Sequence, residues 1–139
     1  MRYHEIERVI RATPGEIWAV LTDAQRLADG SFSILKIEGE IVEGRTIKLW
    51  SEVDPKRAFP IQVSKCVPEW EMVWQNGLPL GLFQGVRRFE LTQVDGGTRF
   101  RMREDYTGPL AGLMVRLIPD LTPSFEKFAD GLAKATETT

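Results

Sequence analysis

The stretch 86-VRRFELTQVDGGTRFRMREDY-106 decides how this chain is read, because it joins two alternating runs through Asp95-Gly96. Asp-Gly between such runs is a strong hairpin signal, and a two-residue type I′ turn takes positive φ at both central positions. Val94 then faces Gly97, and counting outward pairs Leu91 with Phe100, Phe89 with Met102, Arg87 with Glu104 and Gly85 with Tyr106. The other face sets Thr92, Glu90 and Arg88 against Arg99, Arg101 and Arg103, a basic stripe interleaved with acids that reads as a solvated surface. A slip of one residue would bury that set, so the register is tightly specified. The apolar face has one exception, the pair Arg87 and Glu104, which puts two charges where the pattern calls for an interior.

Upstream of the hairpin the same two-residue period predicts strands at Ile34 to Glu38, Arg45 to Val53, Ala58 to Cys66 and Trp70 to Gln75. Their breaks fall at Glu43-Gly44, Asp54-Pro55-Lys56 and Val67-Pro68-Glu69, each rich in turn formers. A further strand runs from Tyr3 to Ala12, for seven in all. Thr13-Pro14-Gly15-Glu16 then reads as a capping box with proline at the first helical position, opening a short helix through Leu21. Asp23 is placed to cap a second short helical turn.

Beyond Gly108-Pro109 the period becomes helical: Leu110, Leu113, Met114, Leu117, Leu121, Phe125, Phe128 and Leu132 recur at intervals of three and four. Pro119 and Pro123 interrupt this stripe, and a proline inside a helix costs on the order of 3 kcal/mol, so a kink or break is expected between Ile118 and Pro123. Thr122-Pro123 restarts the second segment as cap and first residue.

Composition bounds the function. The 139 residues make one domain, 1–139, with 18 basic and 20 acidic side chains and a net charge of −2, so nothing electrostatic argues for nucleic acid or an anionic surface. One cysteine, Cys66, forms no internal disulfide and has no reactive-thiol context. The single histidine, His4, sits at the start of the first strand, where exposure is expected, and excludes a multi-histidine metal site. No apolar run reaches ~20 residues and the first residues lack a signal-peptide core, so no membrane insertion and a soluble, cytoplasmic protein are the expectation.

One strand, two short helices, six strands and a long C-terminal helix describe an α+β fold: a seven-stranded curved antiparallel sheet wrapped around a long, kinked helix. That order, with Thr13-Pro14-Gly15-Glu16-Ile17-Trp18, Leu21-Thr22-Asp23, Gly85-Val86-Arg87-Arg88-Phe89-Glu90-Leu91, Gly97-Thr98-Arg99 and Glu104-Asp105-Tyr106-Thr107-Gly108, resembles the START-like helix-grip (SRPBCC) superfamily, most closely its polyketide cyclase/dehydrase-like branch. The resemblance implies a cavity between sheet and C-terminal helix, usually apolar and often holding a small hydrophobic ligand. The chain departs from many relatives in carrying Arg87 where they have histidine, and Leu27-Ala28-Asp29-Gly30 where they have a tryptophan.

Arg87 and Glu104 are the candidate catalytic residues, and three readings stay open. The first is binding of a small, mostly hydrophobic molecule whose polar end meets this pair, with Tyr106, Phe89, Met102, Trp74, Phe83, Leu113 and Leu117 as further ligand contacts. The second is a cyclase, dehydratase or isomerase in which Glu104 moves a proton and Arg87 stabilises negative charge on oxygen. The third is a regulatory interaction module. A purely structural ion pair has a weak energetic rationale, since desolvation offsets the attraction of two interior charges. Neither cofactor nor metal is called for, and a monomer or homodimer is expected. The apolar connection Gly77-Leu78-Pro79-Leu80-Gly81-Leu82-Phe83 reads as a lid over the cavity mouth, in which Leu80 or Phe83 meets the ligand.

Overall fold

The computed structural model describes residues 2–137. Its elements run β1 Tyr3–Ile10, α1 Pro14–Leu21, α2 Ala24–Leu27, β2 Ile34–Glu38, β3 Thr46–Ser51, β4 Asp54–Val67, β5 Glu71–Leu78, a 3₁₀ turn Pro79–Gly81, β6 Phe83–Val94, β7 Gly97–Thr107, α3 Ala111–Leu117 and α4 Thr122–Thr136. The strands form one antiparallel sheet in the order β1-β7-β6-β5-β4-β3-β2. Strands joined by short loops are neighbours, whereas α1 and α2 carry the chain from β1 at one edge to β2 at the other.

The register read from the hairpin is the observed one, including Arg87 opposite Glu104 and Gly85 opposite Tyr106. The turn itself differs from the type I′ expectation: Gly96 takes φ of 84°, but Asp95 does not take positive φ. Gly97 is required for a second reason, since a Cβ there would stand 2.1 Å from the Ile10 carbonyl oxygen of β1. The charged outer face is a lattice of ion pairs, in which Arg99 meets Glu7, Arg101 bridges Glu5 and Glu90, and Arg103 reaches Glu5 and Asp105. The break expected at Asp54-Pro55-Lys56 lies two residues earlier: β4 starts at Asp54, paired with Ser51. Proline is tolerated there because β4 pairs with β5 only from Gln62 onward, which leaves the Pro55 end an edge.

The capping box at α1 is present, with Glu16 N–H donating to Thr13 Oγ1 at 3.1 Å and Thr13 N–H to Glu16 Oε1 at 3.0 Å. The C-terminal stripe divides into α3 and α4, as the two prolines require, although the cap of α4 is Leu121 and Thr122 is already helical. α4 packs on β1 and α1. Its Phe128 sits among Phe32, Phe89 and Phe100 at ring-centroid distances of 5.2, 5.9 and 6.1 Å. Along this part of α4 the expected cavity is therefore replaced by close aromatic packing.

Candidate functional site

A line of side chains crosses the concave face: His4 of β1 lies opposite Glu104 of β7, Glu104 opposite Arg87 of β6, and Arg87 opposite Trp74 of β5. Directly opposed residues on one face of a sheet interact as pairs. Arg87 Nε donates to Glu104 Oε1 at 2.8 Å, with side chains 21% and 16% exposed. Gly85, opposite Tyr106, adjoins this carboxylate; a Cβ there would crowd Asn76 Oδ1 at 3.2 Å and make ordinary contact with Glu104 Oε2 at 3.7 Å. The first turn of α4 roofs the row, with the Arg87 guanidinium carbon 4.8 Å from the centre of the Phe125 ring.

His4 is half-buried rather than exposed at a strand start, because the break between α3 and α4 folds down onto it. Leu121 N–H donates to His4 Nε2 at 3.5 Å, and Asp120 Oδ1 lies 3.7 Å from the same nitrogen. His4 Nδ1 and the Tyr106 hydroxyl share a hydrogen bond at 3.0 Å whose direction follows the imidazole tautomer. The Glu104 carboxylate lies close enough to the Tyr106 hydroxyl to act on it. Two hydrogen-bonded groups thus sit side by side on the row, one running from the helix break through His4 to Tyr106 and the other joining Glu104 to Arg87. Burial, and next the Glu104 carboxylate, push the Tyr106 hydroxyl far above the ordinary tyrosine range, with Arg87 pulling the other way. Asp120 is held below the usual carboxylate range by hydrogen bonds from Thr122.

Trp74 closes the row. Its ring packs on Phe89 at 4.8 Å, and its buried Nε1 has no hydrogen-bond partner among the described residues. Arg87, Glu104, Tyr106 and Trp74 are therefore brought together. Phe89 and Met102 lie one step along the same face and are fully buried in the aromatic core. Phe83 is not in a loop but opens β6, buried and stacked on Tyr106 at 6.1 Å. Leu113 and Leu117 are 57% and 70% exposed; the interior contacts expected of them are made by Met114 and Val115, which pack against Phe83, Tyr106 and Ala111. Leu80, at the turn, is 96% exposed. Two open depressions lie off the row, one of about 550 Å³ between Thr22 and Val42 and one of about 270 Å³ at the tip of the β5–β6 hairpin, bordered by Asn76 and Phe83. The row carries the unusual chemistry, so we place the candidate site there.

Sequence reasoning missed His4, Asn76 and Phe125 as members. The signal for His4 was its spacing from Ile6 on an alternating strand, but its partner Tyr106 is 102 positions away, beyond the reach of local pattern.

A family model described as polyketide cyclase/dehydrase and lipid transport matches residues 3–137. The fold is similar to that of the Mesorhizobium loti protein MLL2253, at 18% identity, 96% of each chain covered and a TM-score of 0.75. It is also similar to the Colwellia psychrerythraea Aha1 dimer, at 22% identity over 99% of this chain and 97% of that one with a TM-score of 0.74. A Rhodobacter sphaeroides protein shares 23% identity over 96% and 91%, with a TM-score of 0.72. A search of curated proteins returned no match.

Proposed function

Because this chain belongs to the polyketide cyclase/dehydrase and lipid transport family, we propose that it binds a small amphipathic molecule whose polar end is a carbonyl or carboxylate oxygen received by Arg87 and Trp74. The observation that carries this reading is the buried, unpartnered Trp74 Nε1 directly across the ladder from Arg87. A buried donor left unpaired costs about 1–3 kcal/mol, and an acceptor oxygen brought by a ligand would recover that cost. Arg87 uses Nε on Glu104, which leaves its terminal N–H groups to face an oxygen, and a guanidinium suits a carboxylate or enolate. The apolar body of the ligand would lie against Phe83, Trp74 and the inner side of α3. Entry would be through the break between α3 and α4, the one place where the helical cover over the row is interrupted.

The test is titration of the purified protein with matched naphthoic and alkyl carboxylic acids and their methyl esters, followed by tryptophan fluorescence. Wild type should prefer the acids, and Arg87→Met should cost the acids about tenfold while leaving the esters nearly unchanged, the effect of losing one charge-assisted hydrogen bond. Equal affinities for acid and ester in both proteins would overturn the reading.

A second reading, proton transfer, is favoured by the Glu104 carboxylate held by Arg87 at 2.8 Å beside the His4–Tyr106 pair. Under it Glu104 takes a proton from bound substrate while Arg87 stabilises the resulting oxyanion. Glu104→Gln would then abolish turnover while retaining affinity.

A further inference from the structure

We propose that the leucine-tipped end of the molecule docks on an anionic lipid surface. Two segments build this end. The Pro79–Gly81 turn presents Leu78, Leu80 and Leu82, and α3 presents Leu113 and Leu117, all exposed. They are held as one unit: Leu110 N–H donates to the Leu82 carbonyl at 2.9 Å, and Phe83, Tyr106 and Ala111 are buried beneath them. Leu80 takes φ of 62°, a left-handed conformation that bulky side chains rarely adopt, so the turn holds a leucine at its tip where glycine would sit without strain.

Charge complementarity names the occupant. Residues 76–83 and 107–119 contain a single charged side chain, Arg116, which is exposed. A second cation, Arg2, lies against Gly112, where an added Cβ would come within 3.0 Å of its Nη2. Of the carboxylates flanking these segments, Asp105 is paired with Arg103, and Asp120 receives the Thr122 N–H and sits near His4 at the far end of α3. An apolar tip framed by cations matches the boundary between headgroups and acyl chains of an anionic bilayer. Shape argues the same way. A protein partner would need a socket fitted to an almost fully exposed leucine, whereas fluid acyl chains need none. No helix among the described residues is long and apolar enough to cross a membrane, so the contact is peripheral. This inference stands on the surface residues and does not depend on what the interior row binds.

Vesicle flotation tests it, with the full chain and vesicles of phosphatidylcholine alone or mixed with phosphatidylglycerol. Wild type should float with the anionic vesicles and be released by salt. Leu80→Gln with Leu117→Gln should weaken binding at least about tenfold, and Arg116→Gln about fivefold, with nearly unchanged melting because these side chains are largely exposed. Leu80→Gly keeps the turn, removes the tip and should also weaken binding. Wild type that stays with neither vesicle, or variants that float as well as wild type, would overturn the proposal. So would a concentration-dependent dimer lost in the double variant, which would assign the patch to a second copy of the chain. The acid and ester titration is run without vesicles, so failure of either reading leaves the other standing.

Discussion

Two rows of side chains run side by side across the concave face, two residues apart on the same strands. One is Ile6, Met102, Phe89 and Met72; the other is His4, Glu104, Arg87 and Trp74. The first is joined to the regular part of α4, whose Phe128 brings Phe32, Phe89 and Phe100 into one aromatic cluster. The second lies where the C-terminal helix is broken, with Phe125 over Arg87 and the Leu121 amide bonded to His4. The difference teaches that helix continuity decides the chemistry beneath it. An unbroken amphipathic helix supplies apolar side chains at every turn and seals the sheet. A broken one leaves unpaired amide groups at its new end, and here a histidine from the sheet receives one of them.

The sharpest way to break this contrast is Phe128→Ala, which should destabilise the fold by about 3–5 kcal/mol in urea unfolding. A loss below about 1 kcal/mol would mean that the apolar row is not tightly packed. Next is Arg87→Met, which strands the Glu104 carboxylate in a largely buried position and should cost about 2 kcal/mol. Adding Glu104→Leu should return stability to within about 1 kcal/mol of wild type, because replacing both charges removes the desolvation penalty with the attraction. If the double variant is as unstable as the single one, the row is structural and the contrast fails.

Alkaline pH separates the rows by a third route. The Tyr106 hydroxyl is raised in the folded protein, so its contribution is fully present below the ordinary tyrosine pKa and is lost as pH rises above it. Wild type should lose up to about 1.4 kcal/mol per pH unit above about pH 10 relative to Tyr106→Phe. Parallel profiles for the two proteins would show that Tyr106 ionises freely. The smallest effect belongs to His4→Ala, which should cost about 1 kcal/mol. Amide exchange should quicken at Leu121 and the first turn of α4 and stay unchanged around Leu132.

Much of the fold was legible because its signals are local. Asp95-Gly96 and strict alternation placed Arg87 opposite Glu104, and Thr13 with Glu16 announced the start of α1. Pro119 and Pro123 announced the division of the last helix, since a missing N–H and a ring clash act on the chain itself. The site was legible in the hairpin and in Trp74 of β5, but not in the residues that cover it. His4 and Phe125 come from the two ends of the chain, and nothing in either neighbourhood says that they meet. Leu113 and Leu117 share the helical stripe with Phe125 and Phe128, yet α3 is a separate helix whose orientation turns them outward. A periodic pattern assumes one continuous axis, and the proline break ends that assumption.

The sequence by itself determined the strands, the hairpin register, the caps of the two short helices, the helix break and the presence of two charges on an otherwise apolar face, because each depends on neighbours within a few residues or on one turn. Only the tertiary structure decided that β1 pairs with β7, that His4 receives the Leu121 amide, and that the Trp74 nitrogen is left buried without a partner. Those outcomes depend on which edge the first strand occupies and on how a broken helix settles over a curved sheet, where packing of distant surfaces overrides local preference.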